Sequence, residues 1–490
     1  MGNFLKSGWP IRAAAALFAA LVLLHPGLAE AKWLRAETAH FNIYSDSDEG
    51  SLRRYARKLE IFDALLRSIH GLPENGAAPR KLDVYLVRNE YGLHRVTPHS
   101  EGIDGFYTAG NDDIFAVAIS DGKDDHVVFH EYVHHFMWQY FPAAYPTWLV
   151  EGYAEYFMTT SINGVYVNVG QHTSGRTDEL MNVSWVPLAD VLGKKLSDIP
   201  ADKRSTFYGE AWLMTHYMMS DPARHQQFVA YMKLVGGGAD PVDAMQQVTG
   251  KTVVQLEDIL HTYLRSGIKY TQYTRKGQPD PEVSVTALPP SADDLLLENQ
   301  QLKFTVEKDD QKPLLETIRT AAARYPGDKL ADLTLARAEI DFGDKAAGEA
   351  ILRRRIAADP NEVESLQLLA ESLMTAEGDK EDAAYAEADK LLTRAYQADP
   401  TRYQVLYDLV RNHRILSGYP SDADIKLYVA LHRLAPQVAS ITVNTAQALM
   451  LRKYYKEARM LLAPLANSPH GGEAAEAAKR LLKQLDSVGA

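Results

Sequence analysis

The pattern of apolar and polar positions divides the chain into two parts of different character. Around residue 41, the segment HFNIYS alternates apolar and polar positions, as a half-buried strand does. The segment from residue 51 to Gly71 spaces its apolar residues three and four apart and ends at a glycine, which predicts a helix. KLDVYLVRN and DIFAVAIS predict two further strands, and the pattern is mostly helical from there to Ser266. Strands first and helices afterwards favour an α+β domain.

The C-terminal part is predicted to be a helical repeat. Residues 269–294 are rich in proline, charge and small side chains, which predicts an interdomain linker. From 295 to 490, helices rich in Ala and Leu alternate, and prolines recur at similar intervals. A period of about 34 with two helices per unit is typical of tetratricopeptide repeats (TPR), so we predict an all-α TPR solenoid, with a generic helical solenoid as the alternative. The recurring prolines are Pro326, Pro360, Pro400, Pro436 and Pro469.

Residues 1–31 are predicted to be a secretory signal peptide. Lys6 and Arg12 precede a short apolar run, AAAALFAALVLL. After the run, Ala29 and Ala31 form a small-residue cleavage site. The run is short for a membrane span, so an uncleaved anchor is the less favoured alternative. Because the chain has no cysteine, it can form no disulfide. We expect a bacterial periplasmic or secreted protein with no membrane span after signal cleavage.

Composition narrows the classes of partner. The 52 basic and 64 acidic side chains give a formal net charge of −12. Proteins that bind nucleic acid usually carry a basic surplus that neutralises phosphates. The sequence therefore gives no reason to expect a nucleic-acid partner.

The candidate chemistry begins with the segment VVFHEYVHHFMWQY, which contains an H-E-x-x-H pattern. On a helix, His130 and His134 lie four residues apart on one face, so both imidazoles can bind one zinc ion, Zn²⁺. Glu131 can then take a proton from a zinc-bound water. A histidine-bearing amphipathic helix is the alternative interpretation. His126 is expected near the helix start and His135 in a surface or interhelix position, and neither has a partner spaced for a second metal.

A downstream segment, WLVEGYAEYF, supplies the rest of the predicted site. A catalytic zinc site needs a third protein ligand and one open position. Glu151 lies on this next predicted helix, and Glu155 lies four residues further on the same helical face. We predict Glu151 as the third metal ligand. Glu155 is predicted to hydrogen-bond the free nitrogen of a ligand histidine, which fixes the tautomer of that ring.

HEYVH and PTWLVEGYAEYF together resemble the gluzincins, the zinc peptidases of the thermolysin and aminopeptidase clan, and most of all the bacterial peptidase-MA-like proteins. The resemblance implies a thermolysin-like zinc peptidase domain over residues 32–268, with Glu151 as ligand and Glu155 as the outer carboxylate. The family stabilises the tetrahedral oxyanion with a tyrosine or histidine. The segment STFYGEAWLMTHYM resembles the one that carries this tyrosine, which nominates Tyr208, with His216 as a weaker alternative. A tyrosine that only packs between helices is equally compatible with the sequence.

One departure from the family bears on the type of peptidase. The aminopeptidase branch carries a G-x-M-E-N strand upstream of its zinc helix, and the corresponding segment here, GFYTAGNDDIFAVAIS, lacks it. This departure argues against aminopeptidase activity. The strand from Ile114 to Ile119 is a candidate for pairing with an extended peptide substrate at a sheet edge, which favours an endopeptidase.

The sequence therefore predicts an exported zinc metallopeptidase whose TPR repeats bind a peptide substrate or a protein partner. In this hypothesis Glu131 activates water and Tyr208 holds the oxyanion. The alternative is a catalytically inactive TPR scaffold with a remnant peptidase domain. A zinc hydrolase acting on a non-peptide bond is a third possibility.

Overall fold

A computed structural model describes residues 32–73, 76, 78–120, 126–172, 174–304, 306–377, 381–468 and 472–487. The predicted signal peptide, residues 1–31, and Pro469 lie outside the described residues. Within these ranges the chain is mostly helical, with its main sheet in the N-terminal part. Among the described residues, no helix is both long and apolar enough to cross a membrane.

A six-stranded mixed sheet forms the base of the N-terminal part, in the strand order β4-β5-β3-β2-β1-β9. Strands β2, β3 and β5 run parallel to one another, whereas β1, β4 and β9 are antiparallel to their neighbours. The six strands are β1 (Leu34–Glu37), β2 (Phe41–Ser45), β3 (Leu82–Val87), β4 (Gly105–Ala109), β5 (Ile114–Ile119) and β9 (Ser284–Ala287).

Helices cover both faces of this sheet. The sequences of its central strands are therefore apolar along nearly their whole length. In β5, Ala116 and Ala118 face helices α1 (Glu49–Ile69) and α3 (His126–Tyr140), and belong to the larger core. Phe115 and Val117 face the opposite side, where α2 (Glu90–His94) and α11 (Ala292–Leu302) pack. The alternation expected of a strand is therefore present, with an apolar environment on each side.

The predicted edge role of the strand Ile114–Ile119 is wrong. This strand, β5, is hydrogen-bonded on both sides, to β3 and to β4. The edge strand next to β5 is β4, which lies upstream in the sequence and consists of half-buried residues. The prediction rests on the position of this strand just upstream of the H-E-x-x-H segment, whereas its apolar sequence marks a central strand rather than an edge.

The segment predicted as a linker, residues 269–294, is partly built into sheets. It contains β9, which pairs with β1, and β8 (Thr271–Thr274), which joins β6 (Ser161–Asn163) and β7 (Tyr166–Val169) in a small antiparallel sheet. Its prolines lie outside these strands, where they interrupt no ladder. The composition indicates irregular structure. Two strands of this segment nevertheless pair with strands that would otherwise be sheet edges, β9 with β1 and β8 with β7.

The middle of the chain is helical, as the sequence predicts. The helices of this region are α4 (Thr147–Met158), α5 (Ser174–Asn182), α6 (Leu188–Gly193), α7 (Arg204–Met219), α8 (Pro222–Gly236), α9 (Pro241–Thr249) and α10 (Val253–Arg265). Two short 3-10 turns, Leu196–Asp198 and Ala201–Lys203, precede α7.

The C-terminal part is an array of helices in which each helix packs against the next. Four of the five recurring prolines lie within the described residues, and each falls in a turn between two helices. Each interval between them contains two helices, so the predicted helix-pair units are present. The helices are α12 (Lys308–Ala322), α13 (Lys329–Phe342), α14 (Lys345–Ala358), α15 (Val363–Leu373), α16 (Glu381–Ala398), α17 (Tyr403–Asn412), α18 (Asp422–Leu434), α19 (Ala439–Leu451), α20 (Tyr455–Asn467) and α21 (Gly472–Ser487).

The array is joined to the sheet through α11. Ala292 and Leu296 of this helix are buried against β3 and β5 in one apolar cluster. At its C-terminal end, Lys303 Nζ lies 3.0 Å from Asp113 Oδ2, beside the turn between β4 and β5. The helical part and the sheet therefore share a buried interface.

Candidate functional site

The helix that carries the H-E-x-x-H pattern, α3, spans His126–Tyr140 in the described part of the chain. Its apolar face is buried in the core, where Phe129 stacks on Phe62 of α1 with 4.0 Å between ring centroids. The hydroxyl of Tyr132, within the pattern itself, donates to Asp63 Oδ1 at 2.6 Å. Packing and this hydrogen bond fix the rotation of α3, so that His130 and His134 turn toward α4.

Helices α4 and α7 pack closely together at Gly152. A Cβ atom on Gly152 would lie only 2.3 Å from the carbonyl oxygen of Ala211 and 2.6 Å from Thr215 Oγ1, both on α7. Glycine is therefore required at this position for α4 and α7 to pack as they do. The glycine follows Glu151 directly, so the same contact places α7, with Tyr208, beside the carboxylate.

The three predicted metal ligands converge. His130 Nε2 and His134 Nε2 are 3.1 Å apart, and Glu151 Oε2 lies 3.7 Å from the first and 3.6 Å from the second. Four ligands placed tetrahedrally around zinc at about 2.1 Å are separated by about 3.4 Å. Two imidazoles and one carboxylate at these separations fit a zinc ion in both donor type and spacing.

Burial and charge act in opposite directions on His134, whose side chain is 10% exposed. Burial alone would lower its pKa, but the Glu151 carboxylate, together with Glu131 and Glu155, holds the pKa above its ordinary value. The environment of the ring is therefore strongly negative. Such an environment favours a cation next to the ring nitrogen, whether a proton or a metal ion.

Glu155 lies on the far side of His130 from Glu151. Its Oε1 atom is 3.7 Å from His130 Nδ1, an ion-pair distance that is longer than a hydrogen bond. Arg176 forms a bidentate contact with the same carboxylate, at 3.1 and 3.2 Å. The arginine thus holds Glu155 in place beside the histidine. Nothing in the sequence around Arg176 marked it for this role, since its partner lies on a different helix and no motif includes it.

The two predicted catalytic side chains lie near the ligand set, since the charge of Glu131 acts on His134 and that of Glu151 acts on Tyr208. Glu131 is half-buried on α3, adjacent to His130. Tyr208 is half-buried on α7, and the guanidinium of Arg176 lies over its ring at 5.6 Å. Burial, reinforced by the charges of Glu151 and Glu155, raises the pKa of Tyr208 above its ordinary value. The hydroxyl therefore stays protonated at neutral pH and is able to donate a hydrogen bond.

Two other histidines named from the sequence, His216 and His135, are hydrogen-bonded to residues outside the ligand set. Both ring nitrogens of His216 are in hydrogen bonds, to the Gly170 carbonyl and to the Tyr263 hydroxyl, each at 2.9 Å. Neither nitrogen is left for an oxyanion, so this alternative to Tyr208 is wrong. His135 Nδ1 lies 3.0 Å from the Tyr107 hydroxyl of β4, which links the metal-ligand helix to the edge strand.

A second cluster of His40, Glu60 and Asp63 has ligand-like spacing but a different role. His40 Nδ1 lies 2.5 Å from Glu60 Oε1 and 3.3 Å from Asp63 Oδ2, and its Nε2 lies 2.8 Å from the Gly76 carbonyl. Because each nitrogen faces an oxygen acceptor, the arrangement favours a ring that carries both protons over one that binds a metal. With Arg67, which donates to Asp63 at 2.6 Å, the cluster is a buried charge network that supports α3.

Comparison with known proteins gives no family. No protein-family model matches the chain, and no curated protein matches it. Among solved structures, it is similar to a thermophilic TPR protein from Thermus thermophilus, with 17% identity and a TM-score of 0.32 over 39% of this chain and 99% of that one. It is also similar to Pseudomonas aeruginosa pilF, with 18% identity and a TM-score of 0.32 over 40% of this chain and 86% of that one. At these values the likeness carries no argument about activity, and the helix pairs are seen in the structure of this chain directly.

Proposed function

We propose that this chain is an exported zinc-dependent hydrolase of peptide bonds, with endopeptidase action favoured. The observation that supports the proposal most is the convergence of His130, His134 and Glu151, whose ligand atoms lie 3.1 to 3.7 Å apart. Two histidines and a glutamate are the ligand set of one class of catalytic zinc sites, which leave a fourth position open. A site of purely structural zinc would use a fourth protein ligand instead.

The proposal assigns a role to each of the surrounding residues. A zinc ion held by these ligands would supply Lewis acidity and activate water for attack. Glu131, adjacent to His130, would act as the general base and later return the proton to the leaving amine. The protonated hydroxyl of Tyr208 would donate to the oxyanion that develops on the substrate carbonyl. Glu155, held by Arg176, would orient the His130 ring.

The substrate class is proposed from the edge of the sheet. Strand β4 has its outer edge unpaired by any strand in the described sheet, and it packs against α3. An extended peptide can add to such an edge through main-chain hydrogen bonds. The reacting carbonyl would then lie beside the metal-ligand helix. This assignment replaces the one predicted for β5.

A protein-interaction scaffold is the second candidate function. The array of helix pairs that makes up the C-terminal part supports it, since such arrays present extended surfaces for protein partners. In this alternative, the histidine and glutamate side chains would be a remnant without turnover. The two candidates differ in whether the chain binds zinc stoichiometrically and cleaves peptides.

The proposal is tested with residues 32–490 loaded with zinc and incubated with fluorescently quenched casein. Cleavage that disappears in a Glu131→Gln variant, with zinc content unchanged, is the expected result. Mass spectrometry of the products would identify internal cleavage sites. Equal, background cleavage by the two proteins would contradict peptidase function and favour the scaffold.

A further inference from the structure

The helical array holds the tip of the β4–β5 hairpin. The tip consists of residues 110–113, between the two strands. Tyr403 of α17 donates its hydroxyl hydrogen to the Gly110 carbonyl at 2.7 Å, and Gln404 Nε2 donates to the Asp112 carbonyl at 2.9 Å. Tyr403 is fully buried. Main-chain carbonyls of the tip are thus satisfied by side chains that come from the C-terminal part of the chain.

Two further side chains bind the tip from the same side of the array. Arg337 of α13 forms an ion pair with Asp112 at 2.9 Å, and Ser440 of α19 lies 2.6 Å from Asn111 Oδ1. Helices α13, α17 and α19 each begin a helix pair that follows one of the recurring prolines. The contacts therefore come from one face of the array. This face is occupied by the chain's own hairpin.

The array also contacts the metal-ligand helix directly. Gln437, in the turn before α19, donates its Nε2 hydrogen to Gln139 Oε1 at 3.0 Å and lies 3.4 Å from the His135 carbonyl. The side chain of Trp138 packs into the apolar cluster between α19, α20 and α21. The array thus contacts both α3 and the hairpin, and Gln437 and Ser440, three residues apart, touch one each.

We propose that the array is an intramolecular clamp that sets the distance between edge strand β4 and helix α3, and that Tyr403, Gln404 and Gln437 are its positioning residues. The consequence for catalysis rests on the proposed function, in which the peptide adds to the outer edge of β4, beside α3. The clamp also changes the expected role of the repeats. A protein partner could bind the face of α13, α17 and α19 that contacts residues 110–113 only by displacing the hairpin.

The clamp is tested by hydrogen–deuterium exchange on the full mature chain, residues 32–490, followed by mass spectrometry. Tyr403→Phe removes one hydrogen bond to the tip with little change in volume, and should speed exchange in residues 105–113 roughly fivefold, the equivalent of one ordinary hydrogen bond. Gln437→Ala should speed exchange in the second half of α3. The matched control is Tyr385→Phe, which removes a tyrosine–carbonyl hydrogen bond to Met374 within the array and should leave both segments unchanged.

A second measurement separates the clamp from peptidase function. With quenched casein as substrate, Tyr403→Phe should raise KM severalfold and leave kcat nearly unchanged, because it loosens the strand that binds the peptide and leaves Glu131 and the ligands in place. Exchange that stays at the wild-type rate in Tyr403→Phe and Gln437→Ala would overturn the clamp, whatever the activity. Faster exchange together with an unchanged KM would overturn its role in positioning substrate. Faster exchange in a protein that cleaves nothing would retain the clamp and reject the proposed function.

Discussion

Replacing Gly152 by alanine tests the contact that places α7 beside α4. The new Cβ would lie 2.3 Å from the Ala211 carbonyl oxygen and 2.6 Å from Thr215 Oγ1. A carbon and a carbonyl oxygen normally come no closer than about 3.3 Å, so the two helices must separate by about 1 Å. The carbonyl belongs to the backbone of α7 and cannot rotate away.

The expected change in the free energy of unfolding follows from two opposed effects. Overpacking of a close-packed core typically destabilises by about 1–3 kcal/mol. Alanine is favoured over glycine inside a helix by up to about 1 kcal/mol. We therefore expect Gly152→Ala to lower the free energy of unfolding by about 1–2 kcal/mol. Because Glu151 precedes this glycine and Tyr208 lies on α7, the same shift should lower peptide hydrolysis by up to about 100-fold.

Urea unfolding, monitored by circular dichroism, measures the change in the free energy of unfolding. Gly175→Ala is the matched control, because Gly175 is also helical but has no atom within 4 Å of the position of a new Cβ. The control should be at least as stable as the wild type. If Gly152→Ala were as stable as Gly175→Ala, the close approach of α4 and α7 would not depend on this glycine, and the reasoning would be refuted.

Three further predictions concern the site and its support. Glu131→Gln should bind zinc as the wild type does, by metal analysis, but lower kcat by about 10²–10⁴-fold. Tyr208→Phe should likewise retain zinc and lower kcat by about 10²–10³-fold, whereas an unchanged kcat would assign Tyr208 to packing alone. For His40, burial acts to lower the pKa, but Glu60 and Asp63 raise it above its ordinary value of about 6.5. Folding therefore favours the protonated ring, so the stability that His40 contributes is present below pH 6.5 and is lost as pH rises through the raised pKa. Urea titrations of wild type and His40→Gln on both sides of neutral pH should show a difference that shrinks as pH rises, and a constant difference would contradict the charged network.

The parts of the site that the sequence predicts are those set by local spacing. A separation of four residues places His130 and His134 on one helical face, and the apolar side of the next helix brings Glu151 toward them. These relations hold within single helices or between consecutive ones. Arg176 could not be found in this way, because its contact with Glu155 depends on the path of the chain between two helices.

The same distinction applies to the fold. Helix pairs follow from a period visible in the sequence, and they are present in the array. The pairing of β9 with β1 joins segments that are far apart in the sequence, and no local pattern records it. Composition indicated a linker there because proline and charge dominate. Likewise, the contact of Tyr403 with Gly110 depends on how the array folds back on the sheet, which periodicity does not specify.

The most direct test of the proposed zinc site is the metal content of purified residues 32–490, beside a His134→Ala variant. The zinc-hydrolase proposal predicts about one zinc ion per wild-type chain and its loss in the variant. Urea unfolding of the apo variant would establish that it is folded. A wild-type chain that takes up no zinc when zinc is supplied would contradict the proposal and leave the protein-interaction scaffold as the function to pursue.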